Sequence, residues 1–213
     1  MVTKNLSGLY LVTPDWDDTD KLIEVSELAL QGGAALLQYR HKTANAALRK
    51  KQATALLELC RRYHRPFLIN DHIDLCIELD ADGIHVGGLD ASIEQARAAV
   101  GPNKIVGATC YGDIQLAHKA KQQGASYVAF GGFYSSGIKK YPVTTPLNIV
   151  ALSKSTIELP TVVIGGMTLE NCQPLIAAGA DMVAVISSVY FDEHPKLAAR
   201  NFVTCFCNLI SNN

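Results

Sequence analysis

The chain has 213 residues, 48% of them hydrophobic and 18% charged, with a formal net charge of -1 and a pI near 6.6. That length suits one domain of ordinary size, and the near balance of charge gives no long-range field for nucleic acid or an anionic membrane surface. Any anion must therefore be held by local groups, and the expected partners are small molecules.

The N-terminal apolar run is short and reaches Pro14 and Asp15 before a signal peptide could form, so a cytoplasmic location is expected. Nothing approaches the roughly 18 apolar residues that a membrane span needs. The six cysteines contain no C-x-x-C pair and fall mostly in apolar stretches, where a reduced thiol packs as a small hydrophobe. Cys205 and Cys207 would point apart on a C-terminal helix, which argues against a metal or redox pair.

Taken in chain order, short apolar runs alternate with segments of helical period. The reading is a strand at 8–12, a helix at 21–30, a strand at 35–39, a helix at 46–63 and strands at 66–69 and 83–86. A helix at 93–100, a strand at 105–108, a helix at 114–123 and strands at 127–130 and 161–164 follow. A helix at 169–178, a strand at 182–186 and a helix at 195–209 end the chain. Ser92 with Gln95 forms a capping box, Thr168 with Glu170 opens a further helix, and Gly32, Gly101, Gly124 and Gly179 stand where helices end. QGGAALLQYR, KQQGASYVAF and AAGADMVAV share one grammar of helix end, glycine, small residue and buried strand.

Continuous apolar strands need cover on both faces, which indicates a parallel sheet. Eight βα units of about 25 residues fit a single-domain α/β fold over 1–213, a (β/α)8 or TIM barrel. An open doubly wound sheet is disfavoured, because LVTPDW follows the first strand in place of G-x-G-x-x-G and no G-x-x-x-x-G-K-[ST] occurs.

In a parallel barrel the chemistry lies just after each strand. After the second strand stand Gln38, Tyr39, Arg40, His41 and Lys42; after the third, Asn70, Asp71 and His72; after the fourth, Gly87 to Asp90. Asp71 and Asp90 are hard oxygen donors suited to Mg²⁺, which takes one or two carboxylates and completes its shell with water and phosphate oxygens. Taken singly, Asp71 could instead cap the next helix and Asp90 end a turn. His72 and His85 read as satisfied structural histidines, since no second histidine sits at metal-binding spacing. Gly165 and Gly166 after the seventh strand, with Ile186, Ser187 and Ser188 after the eighth, suit a phosphate held by backbone N–H groups. Residues 131–141 read as a mobile glycine-, serine- and lysine-bearing loop that closes on a phosphorylated ligand.

These residues resemble the thiamine phosphate synthase family over nearly the whole chain. The match rests on QYRHK (38–42) for Q-x-R-x-K, IND (69–71), GIHVGGLD (83–90) for G-x-H-x-G-x-x-D, GGFYSSGIKK (131–140), IGG (164–166) and AVISS (184–188). The resemblance implies a (β/α)8 barrel that joins hydroxymethylpyrimidine diphosphate to a thiazole phosphate with Mg²⁺, commonly as a homo-oligomer. It places Gln38, Tyr39, Arg40, His41, Lys42, Asn70, Thr109 and Lys139 along the pyrimidine diphosphate, with Arg40, Lys42 and Lys139 meeting charge on the leaving group. Asp71 and Asp90 would hold the metal, and Gly165, Gly166, Ile186, Ser187, Ser136 and Ile138 the thiazole phosphate. Three departures stand out. Thr109 replaces a usual serine, Gly88 a frequent glutamine, and Ser136 and Ile138 the Thr-x-Thr of the loop. A thiazole tautomerase of the same superfamily, or a non-catalytic phosphate-binding barrel, would not need the diphosphate and metal residues at 40, 42, 70, 71 and 90.

Overall fold

Eight parallel strands, paired in chain order, close on themselves when the first meets the last. The computed structural model describes residues 6–87, 92–135 and 145–210. The elements run β1 (Gly8–Val12), α1 (Thr19–Gln31), β2 (Leu36–Tyr39), α2 (Ala46–Arg62), β3 (Phe67–Asn70), α3 (Ile73–Glu78), β4 (Gly83–Val86), α4 (Ile93–Val100) and β5 (Ile105–Tyr111). They continue with α5 (Ile114–Gln122), β6 (Tyr127–Gly131), α6 (Ile149–Thr156), β7 (Thr161–Ile164), α7 (Gln173–Ala177), β8 (Met182–Val185), α8 (Ser187–Tyr190) and α9 (Pro195–Ile210).

The alternation of side chains along each strand builds two apolar layers. Leu9 and Leu11 of β1, Leu37 and Tyr39 of β2, and Val183 and Val185 of β8 pack outward under the helices. Their neighbours Tyr10, Val12, Leu36, Met182 and Ala184 pack inward and fill the barrel with Leu68, Ile105, Tyr127 and Val162. Strands buried on both faces need the continuous apolar runs that the sequence shows.

The interior is shaped by a glycine as much as by the large side chains. A Cβ at Gly107 would lie 2.1 Å from Tyr127 Cζ and 2.2 Å from its hydroxyl, so only glycine leaves room for that phenol. Gly107→Ala should destabilise the fold by roughly 1–3 kcal/mol, the usual cost of overpacking. Urea unfolding measures it, and an unshifted midpoint would mean that the ring repacks without strain.

Local signals fix the helix starts. Asp18 accepts from Lys21 N at 3.0 Å, Asn45 from Leu48 N at 2.9 Å and Asp113 from Gln115 N at 2.7 Å, while Ser92 and Gln95 form the expected box. Such caps each contribute on the order of 1 kcal/mol.

The helix read at 169–178 is shorter, Gln173–Ala177. Residues before it form a turn in which Thr168 N donates to Asn171 Oδ1 at 2.8 Å and Asn171 N to Thr168 Oγ1 at 3.3 Å. Pro174 has no N–H to give to the carbonyl four residues back, so the two pieces do not merge. β5 runs three residues beyond the expected 108 and carries a register shift between Thr109 and Tyr111, a bulge of the kind that re-aims side chains at a barrel rim. β8 ends at Val185, before the expected 186, because Ile186 turns to φ -120°, ψ -81° and precedes α8.

The two ends of the barrel differ in kind. At the N-terminal end, side chains stitch backbone. Asp82 accepts from Phe67 N at 3.0 Å, Asp181 accepts from Thr161 N at 2.7 Å, and Arg97 reaches the carbonyls of Gly101 and Lys104, each at 2.7 Å. The opposite end carries the candidate site.

Candidate active site

The C-terminal rim is built first by an acidic loop that the sequence analysis passed over. Thr13, Asp15 and Asp17 follow β1, and each grips the segment after β2. Thr13 Oγ1 accepts from Arg40 N and donates to Arg40 O, both at 2.8 Å. Asp15 takes Arg40 Nη1 on both oxygens, at 3.0 and 3.2 Å, and also accepts from Lys42 N at 2.9 Å. The guanidinium, 9% exposed, is thus fixed in place by the protein itself. The available signal was position alone, since two carboxylates stand directly after a strand.

Tyr39 and His41 brace this arrangement from outside the barrel. The Tyr39 hydroxyl donates to Gln52 Oε1 at 2.9 Å, and Gln52 Nε2 donates to Trp16 O at 2.8 Å, tying β2 to the acidic loop. Nδ1 of His41 accepts from Ala44 N at 3.1 Å, so Nε2 carries the proton and donates to Asp17 at 3.0 Å. The Tyr39 hydroxyl and the His41 ring are thus engaged with Gln52 and Asp17.

The third strand brings its carboxylate to the basic segment. Lys42 Nζ lies 3.8 Å from Asp71 Oδ2, and Asn70 Nδ2 donates to the same carboxylate oxygen at 2.5 Å. Asp71 adopts φ +62°, a left-handed conformation that a non-glycine residue rarely holds. Its N–H donates to His85 O at 2.9 Å, and α3 starts at Ile73 with His72 as its N-cap and no side-chain cap. Asp71 is therefore not the cap of that helix.

Below the rim, Gln38 and Thr109 are joined through the barrel interior. Gln38 Nε2 donates to the Tyr10 hydroxyl at 2.5 Å, which lies 2.8 Å from the Tyr127 hydroxyl. That group is 2.7 Å from His85 Nδ1, and His85 Nε2 is 2.8 Å from Thr109 Oγ1. Burial pushes the Tyr10 and Tyr127 phenols well above the ordinary range, so both keep their protons.

The far side of the rim is a set of interlocked turns. Gly165 and Gly166 hold φ +113° and +63°. A Cβ at Gly166 would meet Ser135 O at 2.2 Å, and one at Gly165 would meet Gly132 N at 2.9 Å. The glycine pair thus admits the segment after β6. Tyr134 donates to Asn171 O and Asn171 Nδ2 to Gly166 O, each at 2.9 Å, and Ser188 Oγ donates to Met167 O. Ile186 and Ser187 open the short α8 beside these turns. Asp90, Gly88, Ser136, Ile138 and Lys139 lie outside the described residues.

A closed parallel barrel whose fixed cation, carboxylate and glycine turns gather at the strand C-termini defines a TIM-barrel enzyme. A family model described as thiamine monophosphate synthase matches residues 9–189. A thiamine-phosphate synthase of Janthinobacterium sp. (strain Marseille) is 64% identical over 202 residues, covering 95% of this chain and 98% of that protein. One of Nitrosomonas eutropha is 44% identical, covering 95% of each. The solved structure of a thiamine phosphate pyrophosphorylase from Pyrococcus furiosus superposes with a TM-score of 0.85 at 28% identity, covering 99% of this chain and all of that one. The chain belongs to the thiamine monophosphate synthase family.

Proposed function

We propose that the protein condenses 4-amino-2-methyl-5-hydroxymethylpyrimidine diphosphate with a thiazole phosphate, giving thiamine phosphate and diphosphate. The observation that supports this reading most directly is the meeting of Arg40, Lys42 and Asp71 at the ends of neighbouring strands, with Arg40 fixed in advance by Asp15. In the reaction the bond from the hydroxymethyl carbon to the diphosphate oxygen breaks, and its electron pair leaves with diphosphate. The thiazole nitrogen then supplies the pair for the new C–N bond.

Arg40 and Lys42 meet the charge that develops on the leaving group. Lys139 joins them on this reading. Gln38, Tyr39, His41, Asn70 and Thr109 line the pyrimidine diphosphate on this reading, and the Tyr39 and His41 side chains also brace the loop that holds Arg40. The backbone at Gly165, Gly166, Ile186 and Ser187 takes the thiazole phosphate on this reading, together with Ser136 and Ile138.

The donor chemistry at Asp71 fits Mg²⁺. A hard carboxylate, 18% exposed and steadied by Asn70, stands where phosphate oxygens would arrive. Asp71 and Asp90 would hold the ion. When bound, it supplies charge neutralisation for the departing diphosphate.

No helix among the described residues is long and apolar enough to cross a membrane. A cytoplasmic homo-oligomer acting on small molecules completes the proposal. Thiamine phosphate and diphosphate should form together from the two substrates with Mg²⁺ and vanish with chelator. No product in either condition, together with tight thiazole phosphate binding, would instead favour an isomerase acting on the thiazole.

A further inference from the structure

The mechanism above uses Gln38 and Thr109, the two ends of a chain of hydrogen bonds that crosses the barrel, but not Tyr10, Tyr127 and His85 between them. The construction of that chain is specific. Tyr127 stacks on His85 at 5.6 Å with 21° between the rings and meets Tyr10 edge-on at 6.1 Å. Two glycines make room for it. Gly107 leaves space for the Tyr127 phenol, and Gly87 keeps clear the front of Thr109, whose hydroxyl oxygen a Cβ there would approach to 2.5 Å.

The order of donors along this chain follows from its first member. The Gln38 amide gives a proton to Tyr10 oxygen, which leaves the Tyr10 hydroxyl free to give its own to Tyr127, 2.8 Å away. Tyr127 then gives its proton to His85 Nδ1 at 2.7 Å. An imidazole that accepts at Nδ1 carries its proton on Nε2, and that proton goes to Thr109 Oγ1 at 2.8 Å. Every buried polar group is satisfied in this direction and no two protons face each other. High phenol pKa values, caused by burial, keep both tyrosines able to donate.

We propose that Tyr10, Tyr127 and His85 are positioning residues that fix the His85 tautomer, so that the Thr109 hydroxyl keeps its own proton to donate to a ring nitrogen of the pyrimidine substrate. The inference rests on the proposed function in one respect only, the seating of the pyrimidine beside Thr109. The tautomer itself depends on the protein alone. In the reverse polarity Thr109 would spend its proton on the imidazole and could only accept, which would favour a ligand presenting an N–H at that point.

Two measurements separate these ideas. Long-range ¹H–¹⁵N correlation on histidine-labelled protein, with His85→Gln used for assignment, should show His85 as the Nε2–H tautomer in the wild type. Tyr127→Phe, which removes one oxygen and keeps the ring, should abolish that single tautomer. An Nδ1–H tautomer in the wild type overturns the proposal whatever the enzyme does.

The second measurement is a double-mutant cycle on KM. Thr109→Val and Tyr127→Phe should each raise KM for the pyrimidine diphosphate about tenfold, the scale of one lost hydrogen bond to a substrate, and leave KM for the thiazole phosphate unchanged. In the Thr109→Val background, Tyr127→Phe should add nothing, because its effect passes through that hydroxyl. Tyr10→Phe provides a second route to the same result. Independent, multiplying effects would overturn the positioning role. An Nε2–H tautomer in a protein that does not take the pyrimidine diphosphate would uphold the chain of bonds and reject the function instead.

Discussion

Arg40→Ala is expected to lower kcat/KM by roughly 10²–10³, the usual cost of removing one preorganised group that meets charge in a transition state. The size follows from the way the guanidinium is held. It is 9% exposed and gripped on one nitrogen by both oxygens of Asp15, so its position is set before diphosphate arrives. No reorganisation is then needed as the leaving group gathers charge. The stability cost should be small by comparison, because Asp15 is 33% exposed and water can take over its oxygens. Steady-state kinetics beside thermal melts separate the two effects. Arg40→Lys should restore part of the charge but little of the geometry, since an ammonium cannot reproduce the planar fork. Wild-type kcat/KM in the alanine variant would remove Arg40 from the leaving-group site.

Asp71→Asn should move the Mg²⁺ dependence of turnover to higher concentration by more than the roughly 10–100-fold that loss of an outer-shell partner costs. Asparagine is the right substitution on structural grounds. Asp71 sits at φ +62°, and asparagine is among the few residues that enter the left-handed region with little strain. The hydrogen bond from Asp71 N to His85 O, at 2.9 Å, involves backbone alone and survives the change. A variant with an unchanged melting temperature and a shifted Mg²⁺ titration would support a metal ligand. An unshifted titration would leave Asp71 with its pairing to Lys42 and Asn70 and remove it from the metal site.

The two substitutions probe different links of the same argument. Arg40 is the fixed cation of the rim, and Asp71 is its hard donor. Thiamine phosphate formation in the wild type, lost by separate routes in the two variants, would join both to one leaving group.

Much of the architecture was legible because it is local. The Ser92–Gln95 box, the glycines that end helices and the alternation of apolar runs with helical periods all act over a few residues, where backbone hydrogen bonding and side-chain direction decide the outcome. The helix expected from 169 failed for a reason equally local but read wrongly. Thr168 closes a turn with Asn171, and Pro174 cannot supply the next N–H. The rim positions of Arg40, Lys42 and Asp71 were legible too, since a barrel places whatever follows a strand at one end.

The sequence by itself determined the repeated βα units, their burial on both faces and the residues that follow each strand. What only the tertiary structure decided is which of these groups meet. Asp15 finds Arg40 across 25 positions and Tyr10 finds Tyr127 across 117. Alternation places Tyr39 in the outer layer, where its hydroxyl meets Gln52, and sets Gln38 inward against Tyr10. Such pairings arise when eight strands close and carry distant side chains into one low-dielectric interior, where each polar group must find a partner. Local periodicity gives the direction of a side chain, and closure alone gives it a neighbour.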